Sequence, residues 1–247
     1  MEKLKEIFQS IIRFSLGNEE LAAGLVLCPS LSNEDLITRA RMLLHPEEIN
    51  TGGGFTSDIR RRSFLNGRIA GKIAINNVFP DIPPTSFRII SGSIGRPVIG
   101  DLPQPYGISI AHNESWNAGL CFPLSVPMGI DIETITKKNR TIIASIFSSC
   151  EKDLCSSEGD SLELTHLLWT AKEAAGKAIG LGFRVPTALY EIDFVETLRT
   201  ESQPIRQCRF KNLSVFTALS VEIPWGMLSI AFPAENNLSQ TMIRLLQ

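Results

Sequence analysis

The chain has 247 residues, 43% hydrophobic and 20% charged, which is enough to bury one large core or two smaller ones and excludes disorder as its main state. Its 24 Lys and Arg against 26 Asp and Glu leave a net charge of −2, which excludes the uniform field of a protein that coats nucleic acid or an anionic membrane. Any anion must therefore be held by a local cluster.

The first residues carry Glu2, Lys3, Lys5, Glu6 and Arg13 among apolar neighbours, so no signal peptide is expected, and no later run reaches the roughly 20 apolar residues that cross a bilayer. Residues 1–50 carry no chemical motif. The break Thr51-Gly52-Gly53-Gly54 precedes a predicted helix from Asp58 to Asn77, in which Leu65, Ile69 and Ile73 form one apolar stripe and Pro80 to Pro84 ends the run. On that helix Arg61, Arg68 and Lys72 share a face at about 100° per residue, with Arg60 and Arg62 beside them. The cluster is either a solvated basic face or a site for a phosphate-rich small ligand.

Gly95-Arg96-Pro97 reads as a turn that exposes a guanidinium, and Pro103 and Pro105 introduce a strand-rich middle. Gly107 to Ala111, Ala118 to Phe122 and Met128 to Glu133 are short apolar segments bounded by turn residues, as strands should be. The first delivers His112 at its end. In the third, alternation sends Asp131 and Glu133 to one face, roughly 7 Å apart along the backbone, where they form either a polar face or two ligands for a hard cation. Gly129 before them is compatible with close approach of another backbone.

From Leu162 to Ile179 the spacing of Leu164, Leu167, Leu168, Ala171, Ala174, Ala175 and Ala178 predicts a helix. Its second stripe is His166, Trp169, Glu173 and Lys177. Glu173 and Lys177 could form an ordinary ion pair at i, i+4, or Glu173 could be a third carboxylate beside Asp131 and Glu133 and Lys177 a phosphate donor. Leu213 to Ile223 and Met227 to Phe232 read as a final pair of strands. Interleaved helices and strands give an α+β or α/β arrangement in two lobes, split near Pro123 to Pro127. The five cysteines, Cys28, Cys121, Cys150, Cys155 and Cys208, are odd in number and lack C-x-x-C spacing. They read as reduced packing thiols, and a cytoplasmic location is expected.

Taken in order, F-L-x-G-R at Phe64 to Arg68, G-R-P at Gly95 to Pro97, S-I-A-H at Ser109 to His112, G-I-D-I-E at Gly129 to Glu133, F-S-x-x-E at Phe147 to Glu151 and W-T-A-K-E-A-A-G-K at Trp169 to Lys177 resemble the 4′-phosphopantetheinyl transferases of the surfactin-synthetase-activating type. The resemblance implies an α+β pseudo-dimer of two similar α/β lobes in a single chain, with the active site in the cleft between them. The lobes would be residues 1–126, with the basic coenzyme A-binding helix, and residues 127–247, with the metal-binding carboxylates. It implies transfer of the 4′-phosphopantetheine arm of coenzyme A to a serine of an apo acyl or peptidyl carrier protein, releasing adenosine 3′,5′-bisphosphate.

By the same resemblance Asp131, Glu133 and Glu173 are the Mg²⁺ ligands; the attacking serine hydroxyl wants a base, for which Glu173 is the candidate, and Lys177, one turn on, would stabilise or protonate the departing phosphate. Arg61, Arg62, Arg68, Arg96, His112 and Lys177 would hold coenzyme A. Arg61 shares a face with Arg68 by helical geometry, whereas the family pattern points to Arg62. Ala111 stands where the family commonly has a serine, so one hydroxyl donor is missing, and Arg96 replaces the usual lysine. The competing readings are a metal-dependent phosphodiesterase or nuclease, and a non-catalytic module that binds coenzyme A or a carrier protein. Neither a nucleic-acid partner nor a membrane is expected.

Overall fold

The computed structural model describes residues 7–92, 95–102, 104–157, 159, 161–200 and 203–246. Pro103, named above, lies outside them. The chain divides into two compact units, Met1–Ser125 and Val126–Gln247. Both mix helix and sheet.

The first unit opens with strands β1 (Phe8–Leu16) and β2 (Glu19–Pro29) and helices α1 (Asn33–Leu43), α2 (Pro46–Gly53) and α3 (Asp58–Val78). Two hairpins follow, β3 (Arg88–Ser91) with β4 (Pro97–Gly100), and β5 (Tyr106–His112) with β6 (Trp116–Pro123). The main sheet runs β1-β2-β6-β5, antiparallel throughout, and β3-β4 pair separately. The residues that bear no motif thus supply two strands and two helices. The stripe expected on α3 is half of its apolar surface: Leu65 and Ile69 pack with Leu36, Ala40 and Leu44, while Ala70, Ala74 and Ile75 pack with Val26, Cys28, Ile108 and Cys121 of the sheet.

The second unit contains β7 (Gly129–Glu133), α4 (Arg140–Ser145), α5 (Ser149–Ser157), α6 (Leu162–Ala178), the hairpins β8 (Ile192–Leu198) with β9 (Ile205–Phe210) and β10 (Phe216–Ile223) with β11 (Gly226–Pro233), and α7 (Asn236–Leu246). Its sheet runs β7-β11-β10-β9-β8, also antiparallel. The predicted α6 stripe is the core: Leu164, Leu167, Leu168, Ala171, Ala174, Ala175 and Ala178 are buried with Ile192, Cys208, Phe210, Ala218 and Ala231.

Both units follow one element order, a strand, two short helices, a long helix and two hairpins, to which the first adds β1 and the second α7. The contacts repeat as well. A Cβ on Gly24 of β2 would lie 2.2 Å from the Ala74 carbonyl oxygen of α3, and one on Gly129 of β7 would lie 2.1 Å from that of Ala174 in α6. Only glycine lets strand and helix approach so closely. Seven residues past each glycine, a loop amide finds a side chain on the long helix: Leu31 N–H donates to Asn66 at 2.9 Å, and Thr136 N–H to His166 at 3.3 Å.

A buried carboxylate clamps each unit. Glu48 accepts from the amides of His45 and Ile89 and lies 2.9 Å from the Lys72 ammonium. Glu151 accepts from the amides of Ser148 and Ile192 and lies 2.7 Å from the Lys172 ammonium. Each glutamate also closes a reciprocal capping box at the start of its helix.

Among the described residues, no helix is long and apolar enough to cross a membrane. All five cysteines are free, and Cys28, Cys121, Cys155 and Cys208 are buried, as packing thiols are.

Candidate active site

In the second unit, pleating puts Ile130 and Ile132 on one face of β7, both fully buried, and Gly129, Asp131 and Glu133 on the face that meets α6. The close approach at Gly129 brings Asp131 and Glu133 alongside the helix residues Trp169, Glu173 and Lys177. Lys177 Nζ lies 2.7 Å from Asp131 Oδ1, and Trp169 Nε1 donates to Glu133 Oε1 at 3.2 Å. The ammonium therefore pairs with Asp131 across the seam, so the local i, i+4 partnership is not what holds Lys177.

Burial and mutual repulsion govern the acids. Glu173 is pushed up to about 7, first by burial, then by the charge of Asp131, against the opposing Lys177 and with a further rise from Glu133. Glu133 is raised by burial and then by Asp131, while Trp169 and Lys177 hold it back. Three carboxylates in one electrostatic neighbourhood with a single lysine are short of positive charge. Asp131 Oδ2 is buried and has no hydrogen-bond partner.

Among the described residues, no three His, Cys, Asp or Glu side chains converge as a finished metal cage. The donor chemistry nevertheless fits a hard divalent cation: oxygen ligands only, one of them orphaned, and acids whose ionisation is suppressed for want of a counter-charge. The other member of the α6 polar stripe, His166, is buried and spends both ring nitrogens on the backbone, Nδ1 on the Leu162 carbonyl and Nε2 on Thr136 N–H. It is a fastening.

The basic cluster of the first unit separates into two parts. Arg60 and Arg62 are exposed at the start of α3, and Arg61 there pairs with Asp58 at 2.9 Å. Lys72, read from the helical wheel as part of the same basic face, is fully buried: it pairs with Glu48, donates to the carbonyls of Pro84 and Phe87, and sits 4.1 Å from the Phe87 ring centroid. A buried ammonium so engaged serves the core. Arg68 lies between, 9% exposed, its guanidinium 4.7 Å from the Phe64 ring centroid and its Nε 3.9 Å from Glu48.

Arg96 is exposed, next to Gly95, whose φ of +76° makes the tight turn that the Gly-Arg-Pro sequence suggests. His112 is exposed at the end of β5, and its Nε2 lies 2.7 Å from Ser63 Oγ on α3. This link joins His112 to the helix turn that carries Arg61 and Arg62. No motif marks Ser63, because nothing in the sequence relates positions 49 residues apart. Lys172 was detectable in principle, since it interrupts an otherwise apolar helix face.

The strand and helix that gather these acids and the lysine lie in the part of the chain that is similar to known proteins. The stretch from residue 127 to residue 223 matches the model of the 4′-phosphopantetheinyl transferase superfamily. It contains Asp131, Glu133, Glu173 and Lys177. The chain is also similar to the 4′-phosphopantetheinyl transferase gsp of Aneurinibacillus migulanus, at 29% identity over 138 residues. The chain spans about half the length of that relative, 55%, and the match covers 55% of this chain.

Proposed function

We propose that the protein transfers the 4′-phosphopantetheine arm of coenzyme A to a serine hydroxyl of an apo acyl or peptidyl carrier protein, releasing adenosine 3′,5′-bisphosphate, with Mg²⁺ as the metal and the cytoplasm as the location. The observation that carries this reading is the gathering of Asp131, Glu133, Glu173 and Lys177 on one strand–helix seam inside the segment that matches the superfamily. Asp131, Glu133 and Glu173 would hold the cation. When bound, it supplies Lewis-acid polarisation of the phosphoryl group under attack and neutralises charge on its oxygens.

The protein's own groups do the rest. Glu173 is assigned to accept the proton of the attacking serine hydroxyl; its rise to about 7 belongs to the metal-free site, where burial and the charge of Asp131 oppose its ionisation. Lys177 neutralises the departing phosphate. Arg61, Arg62, Arg68, Arg96 and His112 are assigned to the phosphates of coenzyme A, with the exposed Arg62, Arg96 and His112 the most accessible and Arg68 reaching solvent through a small part of its surface.

The test is incubation with coenzyme A, Mg²⁺ and a panel of apo carrier proteins, followed by intact-mass measurement of each carrier. A carrier gaining the mass of the arm, and losing that gain when a chelator is present, is expected. A folded enzyme that modifies no carrier in the panel would sink the reading.

A further inference from the structure

Ser63 and His112 meet across the first unit, Oγ to Nε2 at 2.7 Å, one from the second turn of α3 and the other from the end of β5. Both stand where a small anion could reach them: His112 is exposed, Ser63 is half-buried, and the exposed Arg62 immediately precedes Ser63. The strand contributes no hydroxyl of its own there, because Ala111 is buried and apolar. The helix contributes it instead.

The chemistry of the pair is directional. A hydroxyl is one donor and two acceptor lone pairs. When Nε2 carries a proton, it donates to Ser63 Oγ and leaves the serine hydrogen to turn away from the ring. A hydroxyl that already accepts a hydrogen bond is polarised and donates more strongly to a charged oxygen.

We propose that Ser63 is a ligand of a coenzyme A phosphate, its hydroxyl oriented by His112. The inference rests on the transferase reading and adds to it a residue that no motif marks.

Calorimetric titration of the whole chain with coenzyme A, alongside steady-state transfer, tests it. Ser63→Ala should weaken coenzyme A binding roughly tenfold or more, the loss of one hydrogen bond to a charged group. The KM for coenzyme A should rise in parallel while kcat stays within about twofold. Ser63→Thr, which keeps the hydroxyl, should bind within about threefold of wild type. The ring ¹⁵N signals of His112 should move in Ser63→Ala without ligand, and in the wild type on adding coenzyme A. Wild-type affinity in Ser63→Ala would overturn the role of Ser63 alone. A wild-type chain that binds no coenzyme A would overturn the transferase reading itself.

Discussion

Counting outward from the repeated glycine and lysine compares the two units position by position. Two and four residues past Gly129 stand Asp131 and Glu133, and past Gly24 stand Val26 and Cys28. One and five residues past Lys172 stand Glu173 and Lys177, and past Lys72 stand Ile73 and Asn77. In the first unit the matching positions carry no charge: Val26 is fully buried, burial pushes the Cys28 thiol up to about 12, so it stays neutral, and Ile73 and Asn77 are half-buried. In the second unit the same seam holds three acids and a lysine. Scaffold and chemistry are therefore separable, with one clamp and one close approach carrying two different fillings.

The two units should differ most sharply in their effect on activity. Glu173→Gln or Asp131→Ala should lower transfer by roughly 10²–10⁴-fold in a folded protein, while Ile73→Val, at the matching position of the first unit, should leave it unchanged. Carrier mass shifts against time measure both. Next come the clamps. Lys72→Met and Lys172→Met each strand a buried carboxylate and should each cost about 3–5 kcal/mol in denaturant unfolding. Pairing either with the matching Glu→Gln change should recover much of that loss, and a large difference between the two units would show that the clamps are not equivalent.

Lys177→Ala should reduce kcat on the order of 100-fold and change the KM for coenzyme A less, as the role proposed for it at the departing phosphate requires. An unchanged kcat would return Lys177 to the role of a plain counter-ion. The smallest effect is a pH dependence that Glu173 brings to the second unit. Glu173 rises in the folded chain from an ordinary 4.5 to about 7, so the folded state holds a proton that the unfolded state has released between those values. Glu173's contribution to stability without divalent cations should be greatest below pH 4.5, decline as pH rises, and level off above about 7. Glu173→Gln removes that decline and should stabilise the metal-free protein by roughly 1–3 kcal/mol at pH 8, with no gain near pH 4. Thermal melts at several pH values decide it.

How much of this was legible in the sequence follows from the range of the forces. The apolar spacing of α6 and the alternation around Asp131 and Glu133 are local, and the structure keeps both. Lys72 was misplaced because a helical wheel assigns a side chain to a face without revealing whether a carboxylate waits in the core, and Glu48 lies in a stretch with no motif. The partnership of Ser63 with His112 is invisible for the same reason. Strands β1 and β2 escaped notice because β2 is flanked on one side by the edge strand and on the other by β6, from almost 100 residues later, a pairing no local pattern records.

The two clamps also constrain the order in which the chain acquires structure. Glu48 must reach the amide of Ile89 and Glu151 that of Ile192, each 41 residues away, so each requires a long loop to close. A carboxylate cannot give up its hydration until the ammonium and both amides are in place. Closure of the clamps therefore belongs on the native side of the folding barrier, and substitutions there should quicken unfolding far more than they slow refolding. What makes each unit hard to assemble early is also what keeps it shut once made.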